Sequence, residues 1–599
     1  MALGLIGRTL RRLKRAPAAD PPAPQIDEAH ALSMLQESDR LRDEGRPSDA
    51  LRLVEEVAKT IHHSGPALTR LGVLYYLAGR FHDARASFDA ALKLDGDDAL
   101  ALRYLAATLA SQGELKLAIT TAEHAIKIGP TNAQTHNLLG AIHMQQGTFE
   151  EAGKHFHRAL EIDPADLAPL ENLEVLRARF GGAKIGLEEH AHTEAIRGRL
   201  IAELSAKLDT GAISALEADN LATLTNNRRE TFALSVKIAD RFQAAPDLTA
   251  SFATTLAVVR QNAGQLAEAL ALRERAYLLA PDGKEVQNGL GWLLIAEGGG
   301  RWQEGWRLLT DSARALNPRN YPTELPAWRG EDLRGQKVFV YADQGVGDAL
   351  LALRVVSDLG ERGVRVALWV PTAFAGLAKS VPGYAEFYTS EHRPDARTLG
   401  CAYACSLFGI IAALNLSRVD IKTPPVLAVP AERKSFWQAR LAALPGRKVA
   451  LTTVGNPGRI DDWLRTVPIE FLGPLRGIQD VSWINLSVDK RDATDAVISA
   501  FEMFDAAAEF TDFVDTAAVL DTVDAVVAID CAAAHVAGSL GKPLFIFKPT
   551  VLDWRWQIGD DQSPWWPSSR LYAADAPGQW TNAGERLAKD LNDYLQSLP

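Results

Sequence analysis

Gly79, Gly113 and Gly147 fall one every 34 residues, and the residues around them recur in the same step. A unit that short cannot enclose a core of its own, so it buries its apolar face only against neighbouring units and the chain stacks into a solenoid. In this register Leu71, Leu105 and Leu139 align, followed by Gly72, Ala106 and Gly140, then Ala84, Ala118 and Ala152. Further columns hold Phe88, Ala122 and Phe156, then Ala91, Ala125 and Ala159, and each unit closes on a helix breaker: Gly96, Pro130 or Pro164. Small residues belong where the two helices of a hairpin touch, and large apolar ones fill the gaps, so the columns read as core packing.

These columns are the tetratricopeptide pattern. The register continues upstream at Gly45 and Ala50, blurs after Leu173, and returns at Gly264, Ala269, Ala276 and Pro281. Gly291, Gly305 and Pro318 outline one more hairpin, lengthened by Gly298-Gly-Gly300. The spacing predicts about four repeats before residue 166 and about two after residue 249, joined by helical chain of less regular spacing. A superhelix of this kind has a concave face able to grip an extended or helical peptide.

The 599 residues are too many for one core. With 47% hydrophobic and 23% charged residues the composition is that of a soluble globular protein, and the net charge of −11 argues against a general nucleic-acid binder. Cys401, Cys405 and Cys531 are too few for a disulfide framework or structural zinc site, which points to a reduced, cytoplasmic setting. Cys401 and Cys405, four apart, are expected on one helix face. No apolar run reaches membrane-spanning length. Residues 1–15 carry five basic and no acidic side chains, with Leu3, Ile6, Leu10 and Leu13 at helical spacing; they read as a frayed solubilising terminus or as a peripheral membrane-surface or partner helix. Residues 16–24 read as linker.

After Trp328 the pattern changes. Lys337 to Ala342 is a β-forming apolar run, followed by the turn Asp343-Gln-Gly-Val-Gly-Asp348 and an apolar-periodic helix through about Glu361; Arg365 to Val370 supplies the next strand. The turn holds Gly345 and Gly347, but Leu350 stands where a dinucleotide fingerprint has its third glycine, which weakens the case for a dehydrogenase. Asp348 at a helix start is expected to stay ionised and to be able to take a proton from a hydroxyl; the alternative is a helix N-cap. A second sheet begins at Lys448 to Val454, after a connection containing Pro424, Pro425, Pro430 and Pro445, and turns at Gly455-Asn-Pro-Gly458. Asp524 to Ile529 reads as a buried strand ending in Asp530, then a helix from Ala532 to Leu540, a break at Gly541-Lys-Pro543 and a strand from Leu544 to Phe547. The expected fold is an all-α tetratricopeptide solenoid (26–320) after a basic leader and linker (1–25), then an α/β half of two Rossmann-like lobes (321–435 and 436–599).

The stretch from about Gly305 to Tyr572 resembles bacterial tetratricopeptide-repeat glycosyltransferases, whose catalytic half is similar to the heptosyltransferase family and has the two-lobed GT-B fold. The pieces that carry the resemblance are Glu304-Gly-Trp306, Gln344-Gly-Val-Gly-Asp348 with Arg354, Gly455-Asn-Pro457 and Arg465-Thr-Val-Pro468, then Thr511-Asp-Phe513 and Asp530 to His535. Gly541-Lys-Pro543, Asp553-Trp-Arg-Trp556 and Ser563-Pro-Trp-Trp-Pro567 complete the series. The resemblance implies inverting, metal-independent sugar transfer from a nucleotide-sugar donor, with no cofactor besides. It makes Asp348 the catalytic base and places Gln344, Gly345, Gly347, Asn456, Arg465, Asp530, Cys531, Ala532, His535 and Arg555 around the donor. It departs at Cys531 and Ala532, where the family commonly has hydroxyl residues. His535 reads equally as a phosphate contact or a capped histidine; Trp554, Trp556, Trp565 and Trp566 read as packing, with stacking on a base or sugar as the alternative.

Together these readings describe a cytoplasmic protein O-glycosyltransferase whose repeats hold a protein acceptor. Proteins of this layout that glycosylate bacterial flagellin look similar, with a nonulosonic acid such as pseudaminic acid supplied as its CMP form. The alternatives are a transferase acting on lipopolysaccharide or another cell-surface glycan, and a non-catalytic adaptor.

Overall fold

The computed structural model describes residues 28–43, 47–60, 64–164, 166–180, 187–316, 325–342, 345–390, 394–417, 420, 427–455, 459, 461–488, 492–556 and 561–599. The basic leader, Gln344 and Asn456 lie outside the described residues.

The solenoid opens with four helical hairpins: α1 (Glu28–Asp43) and α2 (Pro47–Thr60), α3 (Gly65–Leu77) and α4 (Phe81–Leu94), α5 (Ala99–Ser111) and α6 (Leu115–Ile128), α7 (Ala133–Gln146) and α8 (Phe149–Ile162). The glycines that mark the period, Gly79, Gly113 and Gly147, stand after the first helix of the second, third and fourth hairpins at φ 73°, 85° and 86°, a left-handed turn that a side chain disfavours. Less regular helices follow, α9 (Leu167–Phe180), the 24-residue α10 (Leu187–Thr210), α11 (Ala215–Asn226) and α12 (Phe232–Phe242). The repeat spacing blurs here because α10 is nearly twice as long as the 14-residue helices α7 and α8. Two further hairpins close the array: α13 (Ala250–Asn262) with α14 (Leu266–Leu279), and α15 (Lys284–Glu297) with α16 (Trp302–Leu316).

The first lobe contains β1 (Lys337–Tyr341), α17 (Val346–Ala352), α18 (Val356–Glu361), β2 (Arg365–Val370), α19 (Ala375–Ala378), β3 (Glu386–Thr389), β4 (Tyr403–Ser406) and α20 (Leu407–Ala413). The helix expected to run unbroken to Glu361 is divided by a 3-10 turn at Leu353–Val355. All pairings are parallel, in the order β3-β2-β1-β4. Cys401 precedes β4 and Cys405 lies within it, so the helix-face expectation fails; both thiols are buried in the sheet's packing.

The second lobe runs α21 (Ala431–Ala442), β5 (Arg447–Thr452), α22 (Gly473–Arg476), β6 (Val481–Asn485), α23 (Asp492–Ala500), β7 (Phe504–Asp505), α24 (Phe513–Thr522), β8 (Ala525–Ile529), α25 (Ala532–Ser539), β9 (Leu544–Lys548), β10 (Ser569–Ala573) and α26 (Thr581–Ser597). Its strands are again all parallel, ordered β10-β9-β8-β5-β6-β7. The whole of α21 belongs with this lobe, ahead of the expected division at residue 436: Arg433 and Trp437 both bond to the buried Asp515 of α24. The strand order reverses between β1 and β4 in one sheet and between β5 and β8 in the other, and the crevices beyond the carboxyl ends of such strands are where doubly wound sheets take ligands.

Solenoid and lobes share one core. Trp302 and Trp306 of α16 pack with Trp554, Trp565 and Phe408, and the Trp302 indole donates to the Leu416 carbonyl at 3.1 Å.

Candidate functional site

A cleft of about 690 Å³ opens between the lobes, lined on one side by Gly345 to Asp348 after β1 and on the other by Val454, Gly455, Asp530 to Ala533, His535 and Arg555. Each sheet therefore offers the carboxyl end of a strand at its reversal point, as parallel βα units dictate.

Asp348 is the third residue of α17, and Gly345 occupies the N-cap position, so the capping alternative does not hold. The carboxylate instead meets Arg555, whose Nε and Nη2 lie 2.6 and 2.5 Å from Oδ1. Arg555 Nη1 lies 2.6 Å from Asp553. Burial pushes the Asp348 carboxyl above the ordinary aspartate range, and the charge of Arg555 only partly offsets this. The expected stabilisation of the anion by the helix start is outweighed, since α17 is only 7 residues long and the group is desolvated. Burial would also lower the Arg555 guanidinium, but Asp348, Asp553 and Asp530 reverse the direction and keep it charged.

Asp530 follows β8 and behaves in the opposite sense. Burial alone would raise it, yet the His535 ring nitrogen facing it and the charges of Arg555 and Arg465 hold it well below the usual carboxylate range. Trp556 Nε1 donates to its Oδ1 at 2.9 Å, and His535 Nε2 stands 3.6 Å from the same oxygen. His535 Nδ1 accepts from the Trp566 indole at 3.2 Å, which assigns the proton to Nε2, facing Asp530. This nearly inaccessible ring, stacked on Trp556 at 5.2 Å, fits the capped-histidine alternative, although its edge reaches the cleft.

Gly347 fixes how closely the lobes approach. A Cβ there would stand 2.7 Å from His535 Cδ2, so only glycine lets the start of α17 cross the start of α25 at this distance. Cys531 is the N-cap residue of α25; burial pushes its thiol up to about 11, leaving it uncharged, and Ala532 begins the helix. Arg465 donates from Nη1 to the Asp530 carbonyl at 3.2 Å and from Nη2 to Asp462 at 3.1 Å. Trp554, Trp556, Trp565 and Trp566 are all buried, as the packing reading expects. Among the described residues, no group of three or more His, Cys, Asp or Glu side chains is placed to hold a metal ion.

Gly345, Gly347, Asp348, Arg465, Asp530, Cys531, Ala532, His535 and Arg555 thus come together. Three contributors escaped the sequence reading. Arg459 lines the cleft and pairs with Asp461 at 2.6 Å; its place beside the Gly455 turn was the available signal. Asp462, three residues before Arg465, orients that guanidinium and accepts from Thr466 at 3.0 Å. Trp292 of α15 lies beneath Arg555, with no local signal to connect them.

The fold and cleft define a tetratricopeptide solenoid joined to two parallel α/β lobes. Models of the tetratricopeptide repeat match residues 69–133 and 133–166. Protein FlbA of Caulobacter vibrioides is 25% identical over 550 residues, covering 85% of this chain and 87% of that one. The TPR repeat-containing thioredoxin TTL4 of Arabidopsis thaliana is 28% identical over 148 residues, 24% of this chain and 21% of that one. A tetratricopeptide repeat protein of Parabacteroides merdae, known as a crystal structure, is similar at 16% identity over 43% of this chain and 97% of its own, with a TM-score of 0.28. Among the described residues no helix is long and apolar enough to cross a membrane.

Proposed function

We propose that the chain is an inverting GT-B glycosyltransferase that modifies a protein acceptor held by its repeats. The observation that carries this reading is the single cleft into which both lobes turn their strand ends, with Asp348 from one lobe opposite the start of α25 from the other. The acceptor hydroxyl oxygen attacks the anomeric carbon of the donor and gives its proton to Asp348. The bond from that carbon to the nucleotide phosphate breaks in the same displacement, and the phosphate keeps the electron pair. Both Arg555 contacts fall on Oδ1, so Oδ2 is the oxygen assigned the proton. A carboxyl raised by burial is suited to that task. The α25 N-terminus and Arg465 offset charge on the departing phosphate.

The donor that fits is a CMP-linked sugar, as for a nonulosonic acid such as pseudaminic acid. Arg459 and Arg465 already have carboxylate partners, and Cys531 and Ala532 offer no hydroxyl, a polar set suited to one phosphate rather than two. The acceptor that follows from the resemblance is the Ser or Thr of a flagellin, in a cytoplasmic reaction. The test is intact-mass analysis of flagellin incubated with the full chain and CMP-pseudaminic acid. A discrete increment is expected, and Asp348→Asn should slow its appearance by about a hundredfold or more. Unchanged modification by Asp348→Asn removes Asp348 as base. No consumption of any nucleotide sugar by the wild type leaves the non-catalytic adaptor.

A further inference from the structure

After β9 the chain runs as a strap between the cleft and the end of the solenoid. Thr550 Oγ1 donates to the Asn262 carbonyl at 2.8 Å, and Leu552 and Gln261 exchange hydrogen bonds at 3.1 and 3.2 Å, so the strap hangs on the end of α13. The next residues face different ways. Trp554 enters the last hairpin, 5.4 Å from Trp306 and stacked 5.7 Å from Trp292. Arg555 turns to Asp348, and Trp556 turns to Asp530 and His535.

The Arg555 guanidinium carbon lies 4.9 Å from the Trp554 ring centre and 5.6 Å from that of Trp292, so the cation rests on the stacked pair. Both distances lie within the reach of a cation–π attraction, which strengthens where water is excluded. Trp554 belongs to the second lobe, whereas Trp292 is a residue of the repeat array. An arginine side chain has many rotamers, and bringing two of its nitrogens to one carboxylate oxygen requires one of them to be held.

We infer that Trp292 is a positioning residue for the candidate site: the repeat array supplies half of the aromatic platform that holds Arg555 against Asp348. This inference rests on the transferase reading for its consequence, though not for its geometry. It makes the solenoid part of the reaction centre as well as the holder of an acceptor.

The test compares Trp292→Phe with Trp292→Leu in the full chain. Both side chains are apolar, and only Phe keeps a π face, so a merely structural role moves both alike. The readout is the Asp348 carboxylate band, isolated as the infrared difference between each protein and its Asp348→Asn counterpart and titrated with pH. The charged and titratable groups facing Asp348 are Arg555 and Asp553 from the strap and His535 from α25. Loss of the held guanidinium removes the chief charge favouring the anion, so the midpoint should rise by about one pH unit in Trp292→Leu and stay near wild type in Trp292→Phe. Sugar transfer should show its acid limb displaced by the same amount, so that kcat measured on that limb falls about tenfold while the donor KM changes little. A wild-type midpoint in Trp292→Leu, or equal shifts in both variants, overturns the inference. If the wild type transfers no sugar, the transferase reading falls and the infrared midpoints alone decide the positioning role. If Trp292→Leu does not fold, Trp292→Met takes its place under the same criteria.

Discussion

Gly140 faces Phe156 so closely that a Cβ would stand 2.6 Å from the ring, and Gly72 meets Phe88 in the same way at 2.5 Å. In the repeat between them the corresponding residues are Ala106 and Ala122, both fully buried. Glycine therefore pairs with phenylalanine and alanine with alanine, each conserving the volume between the helices of a hairpin. Gly140→Ala is accordingly expected to destabilise by roughly 1–3 kcal/mol through overpacking. Combined with Phe156→Ala, it should cost much less than the sum of the two single changes. A double-mutant cycle in urea measures this, and a Gly140→Ala midpoint equal to wild type refutes the close packing. The two columns were legible in the sequence, but their pairing was not, because it depends on which side chain crosses the helix contact. The same holds at the cleft: Asp348 and Asp530 are one residue type driven in opposite directions, by burial in the first and by His535, Arg555 and Arg465 in the second.

At the scale of elements, the α7–α8 hairpin carries three neighbouring histidines. His136 and His155 approach at 3.2 Å between Nδ1 atoms, and the His143 ring stacks on His155 at 5.5 Å. Burial first, then the neighbouring His136 and His143, lowers His155 to about 4 from an ordinary 6.5. The unfolded chain therefore binds more protons than the folded one between these values. Stability from this group is full above about pH 6.5 and is lost as pH falls toward 4. Thermal melts should show the midpoint falling over this interval, and His155→Gln should flatten the fall. A variant with the wild-type pH slope would remove His155 as its source. The central strands were legible, since parallel sheets covered on both faces are written as continuous apolar runs such as Ala525 to Ile529, whereas β3, β4, β6, β7 and β10 went unread. The 3-10 break at Leu353–Val355 and the placement of Cys405 in a strand were not legible either, because short apolar segments carry no distinguishing period.

For the whole molecule, the order of sequence pieces announced a solenoid followed by two lobes, but not that they would be welded. The seam joins residues far apart in the chain, Trp302 and Trp306 to Phe408, Trp554 and Trp565, and no local pattern records such a contact. A cut at residue 320 therefore divides a core rather than a linker. It strips Trp292, Trp302 and Trp306 from their partners and exposes aromatic surface that, at roughly 150–250 Å² buried per ring, dominates the local packing. The 321–599 fragment should be aggregation-prone and lack a cooperative melt. A cut after residue 164 removes only α1 to α8 and leaves this seam, the strap and both lobes whole. That shorter truncation should keep its near-ultraviolet tryptophan signal and, under the proposed transferase function, acceptor-independent hydrolysis of the nucleotide sugar, while losing most of the proposed modification of a protein acceptor. A 321–599 fragment that melts cooperatively and binds donor like the full chain would show the seam to be dispensable, and with it the role of the last hairpin in shaping the cleft.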